Sequence, residues 1–97
     1  MRSEFGIWEK MVRRCHNPKD AGYRFYGAKG VAVCAEWRDG FDAFIAHVGP
    51  RPTPKHSIDR HPDPFGNYEP GNCRWATRKQ QAETTRKKYI ERGGPSL

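Results

Sequence analysis

The sequence predicts a small α+β domain, on three observations. Apolar residues recur twice at helical spacing in the first half, residues from Ser57 alternate in polarity around a turn-rich loop, and a capping signal then starts another helix. With 97 residues and one continuous pattern of apolar positions, the chain reads as a single domain over 1–92 with a modest core. Gly93-Gly94-Pro95-Ser96-Leu97 reads as a disordered tail.

The first stripe is Ile7, Trp8, Met11, Val12 and Cys15, so residues 4–16 read as an amphipathic helix with Lys10, Arg13 and Arg14 left for the outside. Asn17 and Pro18 stop it. Tyr23, Phe25 and Tyr26 precede Gly27-Ala28-Lys29-Gly30, and Val31 and Val33 alternate after it. That pattern predicts a short hairpin, or one strand entered through a glycine turn. Trp37, Phe41, Phe44, Ile45 and Val48 form the second stripe, a helix over about 39–48 that Gly49-Pro50 ends. Stripes of this composition pack a core, and Pro52 and Pro54 stiffen the connector 50–56 that follows.

Ser57-Ile58-Asp59-Arg60-His61 alternates like a strand, and Pro62, Pro64, Gly66, Asn67, Pro70 and Gly71 fill a loop. Cys73-Arg74-Trp75-Ala76 returns as a second strand. Thr77 with Gln80 is a capping-box pattern, so a third helix starts there and runs to about Tyr89, completing a ββα unit over about 57–89. Arg78, Lys79, Arg86, Lys87 and Lys88 are displayed on it.

Charge points to a polyanionic partner: 18 Lys+Arg face 11 Asp+Glu, a net +7, with a pI near 9.7. The apolar runs are only a few residues long, which predicts no membrane contact. Cys15, Cys34 and Cys73 are odd in number and widely spaced, an argument against a disulfide framework and for a reducing cytoplasm. They read as small core residues; the alternative is a structural Zn2+ site of Cys15, Cys34, Cys73 and either His16 or His56.

Three further strings carry a family likeness: Ile58-Asp59-Arg60-His61 with Gly66-Asn67-Tyr68-Glu69-Pro70-Gly71-Asn72-Cys73-Arg74-Trp75-Ala76-Thr77; Trp8-x-x-Met11-x-x-Arg14-Cys15-x-Asn17; and Tyr26-Gly27-x-x-Gly30-Val31-x-Val33-Cys34 ahead of Trp37, Phe41 and Phe44. Together, from about Ile7 to Arg86, they resemble the small phage and prophage HNH-like (His-Me finger) endonucleases.

That resemblance implies a ββα-metal finger and metal-dependent hydrolysis or nicking of a phosphodiester. A divalent cation, Mg2+ or Mn2+, polarises the phosphate while a neutral imidazole takes the proton of the attacking water. The matching positions are Asp59 with Arg60, then Asn72, then Gln81. Asp59 and Gln81 become the candidate metal ligands, Asn72 the loop brace, and Arg60 stands where the base belongs. Arginine stays protonated and cannot accept that proton, though its fork suits a phosphate. His61 is therefore the replacement base, with His56 an outside candidate, although successive strand residues point to opposite faces. Arg60, Arg74, Arg78, Lys79, Arg86, Lys87 and Lys88 are the expected contacts to duplex DNA. Three readings stay open: a nuclease in the bacterial host cytoplasm, a degenerate member that only binds DNA as a phage regulatory or accessory factor, and a module for an acidic protein partner. Monomer and homodimer are equally compatible with the sequence.

Overall fold

The structure, a computed structural model, describes residues 3–83. The first stripe becomes α1, Glu4–His16. Ser3 caps its start by accepting from the Gly6 amide at 3.2 Å, and Asn17 leaves helical geometry at the end. Met11 and Cys15 are buried, and Ile7, Trp8 and Val12 pack beside them.

Residues 23–30 form no hairpin. They coil into two successive 3-10 turns, Tyr23–Phe25 and Gly27–Lys29, because each amide finds a carbonyl three residues back. Tyr26 N donates to Tyr23 O at 3.1 Å and Gly30 N to Gly27 O at 3.0 Å. A Cβ on Gly27 would collide with the Tyr23 ring and the Cys15 carbonyl, so this segment lies pressed against the end of α1. The alternative of a strand entered through the glycine turn survives in reduced form, as one parallel bridge between Val33 and Tyr68.

The second stripe is divided. Gly40 adopts an extended conformation between α2, Ala35–Asp39, and α3, Phe41–Val48, so Trp37 lies on a short helix of its own instead of preceding a single one. Gly49, at φ 74°, ends α3. The core gathers Met11, Trp37 and Phe44, each no more than 1 % exposed, with Cys15, Val31, Val33, Ile58 and Tyr68 around them. Trp8 donates its indole N–H to Trp37 O at 2.6 Å, which ties α1 to α2.

The strands are β1, Ser57–Arg60, and β2, Cys73–Ala76, paired antiparallel with Ile58 opposite Trp75. Trp75 seals the sheet to α3, stacking edge-on to Phe44 and donating to Gly49 O at 2.9 Å. At the end of β2 the capping box forms as the sequence predicts. Thr77 N donates to Gln80 Oε1 at 2.8 Å, Gln80 N donates to Thr77 Oγ1 at 3.3 Å, and residues 78–83 are helical. The continuation to Tyr89 and the tail 93–97 lie outside the described residues. The molecule is thus an α+β fold of helices and one two-stranded antiparallel sheet. Among the described residues, no helix is long and apolar enough to cross a membrane.

Candidate functional site

Pairing register decides which way each strand residue faces. Asp59 stands opposite Arg74 and Arg60 opposite Cys73. Directly paired residues share a face and successive ones alternate, so these two pairs lie on opposite sides of the hairpin. The Arg60 side, with Ile58 and Trp75, looks into the core.

On the other side, Asp59 Oδ2 accepts from Arg74 Nε at 3.2 Å, with 13 % and 27 % of the two side chains exposed. The carboxylate expected to hold a divalent cation thus has a guanidinium against it. Screening is weaker at such partial burial than at the surface, so the pair is a firm one.

Arg60 turns inward and donates through Nη1 to Gly66 O at 3.1 Å. Its guanidinium carbon lies 5.4 Å from the Tyr26 ring centre and 5.5 Å from that of Tyr68. Arg14, from α1, meets the same two rings at 4.5 and 5.3 Å and donates through Nη2 to the Tyr68 hydroxyl. Contacts of this kind contribute roughly 0.5–2 kcal/mol each. Among the described residues neither guanidinium has a carboxylate partner; the ion pairs there are Arg13–Asp20, Arg38–Asp39 and Arg74–Asp59. Arg14 Nε is buried and meets no hydrogen-bond acceptor among those residues. An unmet buried donor costs about 1–3 kcal/mol.

The environment keeps these groups in fixed charge states. Burial opposes charge on Arg14, but Tyr68 and Tyr26 beside it favour charge and the net movement is upward. Burial pushes the Tyr68 phenol up to about 12, against the pull of Arg14, so it stays protonated. The Cys15 thiol rises to about 11 by burial, with Arg14 and Arg60 opposing.

Asn72, 8 % exposed, braces the loop between the strands. Its Oδ1 accepts from Asp63 N at 2.8 Å, and its Nδ2 donates to Asp63 O at 3.0 Å and Asn67 O at 2.9 Å. All three side-chain bonds are spent on the backbone, as its place in the sequence predicts. Asn67 and Tyr68 then stitch the loop to residues 32–34: Ala32 N donates to Asn67 Oδ1, Tyr68 N to Ala32 O and Cys34 N to Tyr68 O, each at 2.9 Å.

His61 follows β1 directly, with its side chain exposed, and its amide donates to Asn72 O at 3.1 Å. His56 is further back in the connector, its Nδ1 2.8 Å from Thr53 Oγ1. Gln81 lies half-buried in the first helical turn after β2, its amide donating to Thr77 O at 3.0 Å. Arg78 and Lys79 are exposed in that turn; Arg86, Lys87 and Lys88 lie outside the described residues. Cys15, Cys34 and Cys73 are free thiols, and His16 accepts the Val33 amide on Nε2 at 3.0 Å. Among the described residues, no three His, Cys, Asp or Glu side chains gather where they could share a metal.

No protein-family profile, curated protein or solved structure matches this chain.

One feature of the site differs from what the sequence predicts. Arg14 is not on the outside of α1: it is half-buried against Tyr26 and Tyr68. The signal was present, since Arg14 follows Ile7 by seven residues and Met11 by three, the spacing of the apolar stripe itself.

Proposed function

We propose that this chain is an HNH-like protein that binds duplex DNA, and that holding phosphate rather than cutting it is the main business of its strand pair. One observation carries this reading: the position of the metal ligand is engaged with Arg74 at 3.2 Å, while the position of the base is a stacked arginine. Guanidinium groups therefore stand where the hydrolytic reading needs a cation and a proton acceptor. Arginine binds phosphate oxygens bidentately and keeps its proton at any ordinary pH. The strand–loop–strand–helix order, the braced loop at Asn72 and the net charge of +7 support the same reading.

A second reading, metal-dependent nicking, draws on His61. Its imidazole is exposed two residues after Asp59 and next to the Asn72 brace, a position open to substrate. In this reading Asp59 and Gln81 would hold Mg2+ or Mn2+, and the cation would supply Lewis-acid stabilisation of the leaving oxygen.

Fluorescence anisotropy with a labelled duplex, run in EDTA and in Mg2+, tests the first reading against the second when paired with plasmid relaxation. Binding that persists in EDTA with no relaxation in either cation supports DNA binding alone. Cation-dependent relaxation that is lost in both Asp59→Ala and His61→Ala makes the protein a nuclease. Absence of binding under all conditions overturns both readings.

A further inference from the structure

Two guanidinium groups from distant parts of the chain converge on one pair of rings. Arg14 comes from α1 and Arg60 from the end of β1, and each lies within 5.5 Å of both the Tyr26 and Tyr68 ring centres. Two like charges have been brought together without a carboxylate among the described residues, although three other arginines there have found one. Each guanidinium offers five N–H donors. Among the described residues, the hydrogen bonds formed by these two are Arg14 Nη2 to the Tyr68 hydroxyl and Arg60 Nη1 to Gly66 O, and the buried Arg14 Nε meets no acceptor.

The surroundings hold this pair in place. Gly66 sits so close to the Asn72 brace that a Cβ there would come within 2.8 Å of Asn72 Nδ2, which fixes the carbonyl that Arg60 grips. Tyr68 is 2 % exposed and bound to residues 32–34 on both sides, and Tyr26 is bounded by the two 3-10 turns. Preorganised, desolvated donors without an internal anion are what an oxyanion ligand requires, because binding then demands little reorganisation.

We infer that Arg14 and Arg60 form a phosphate-binding clasp, with the rings of Tyr26 and Tyr68 as its floor. The ligand is a phosphate oxyanion, which can be a backbone phosphate of nucleic acid or a free phosphate. The inference rests on the DNA-binding reading only for the source of that phosphate. Arg14 contributes donors that the strand pair alone lacks, and this extends the anion-binding surface from the hairpin to α1.

The test is a 1H–15N NMR titration of the full chain that follows the Arg Nε–Hε signals. Sodium phosphate is added at constant ionic strength with chloride as reference, and a short duplex is added in a separate series. Saturable movement of the Arg14 and Arg60 Nε–Hε signals by phosphate but not chloride is expected, and Arg60→Gln should weaken it at least tenfold. If only the duplex moves these signals, the clasp takes backbone phosphate; if inorganic phosphate moves them and no duplex binds, the clasp stands and the DNA reading falls. Duplex binding that leaves both signals unmoved, with no response to phosphate, overturns the clasp and spares the DNA reading. The wild-type signals report directly, so the result does not depend on Arg60→Gln folding.

Discussion

Asp59 and Arg74 are direct cross-strand partners, and their side chains close an ion pair of 3.2 Å on the face of the hairpin opposite Ile58 and Trp75. A charge-assisted hydrogen bond at this burial stabilises by roughly 1–2 kcal/mol, and removing one partner strands the other. Asp59→Asn and Arg74→Gln should therefore each lower stability by about that much, with a coupling near 1 kcal/mol in a double-mutant cycle measured by urea unfolding. Additive losses would show that the two side chains do not act as a pair.

Asn72 offers a sharper substitution test, because its amide both donates and accepts. Asn72→Asp keeps the acceptor for Asp63 N but loses both donors, to Asp63 O and Asn67 O, and it sets a carboxylate against two carbonyl oxygens. Near-isosteric or not, Asn72→Asp should destabilise at least as much as Asn72→Ala, by about 2 kcal/mol. Amide exchange at Asp63 should accelerate in both variants. Wild-type stability in Asn72→Asp would remove the bracing role.

The thiols provide a pH signature. Burial pushes Cys73 from 9.0 up to about 12, the Glu69 backbone opposing, and pushes Cys15 up to about 11. A thiol that holds its proton more tightly when folded contributes fully below its unfolded value and loses that contribution as pH rises through the folded one. Stability should therefore fall progressively from about pH 9 upward. Urea melts at about pH 8 and about pH 10.5 should show a smaller decline for Cys73→Ala than for wild type. Equal declines would contradict the burial of Cys73.

Two glycines should respond in opposite order to what their backbone angles imply. Gly30, at φ 88°, has open space around its missing Cβ, so Gly30→Ala should cost about 1–2 kcal/mol of backbone strain alone. Gly27 faces the Tyr23 ring and the Cys15 carbonyl, and alanine there must push the 3-10 turns off α1. Thermal unfolding should rank Gly27→Ala below Gly30→Ala; the reverse order would mean that residues 23–30 are not packed against the helix.

Legibility in the sequence followed the range of the interactions. Helix α1, both strands and the Thr77 capping box depend on local periodicity and on side chains three residues apart, and their limits fall within a residue of where those signals predict, β1 ending at Arg60 rather than His61. The 3-10 turns at Tyr23 and Gly27 are held against the end of α1 at the Cys15 carbonyl, a contact that no local window contains. The site divides in the same way. Asn72 was readable as a brace because turn chemistry is local. The Asp59–Arg74 pair needed the strand register, and the convergence of Arg14 with Arg60 needed the whole fold, since 46 residues separate them along the chain.

The salt dependence of duplex binding reads out how many phosphates the protein holds. Each phosphate neutralised releases counterions, so the slope of log K against log salt is about −0.9 per contact for duplex DNA. Binding at low salt is expected, with a slope of about −4.5 or steeper, that is, some five phosphate contacts or more. In Arg60→Gln the slope should be shallower by about one contact. Binding that is insensitive to salt, or no binding at about 50 mM salt, would contradict the DNA-binding reading.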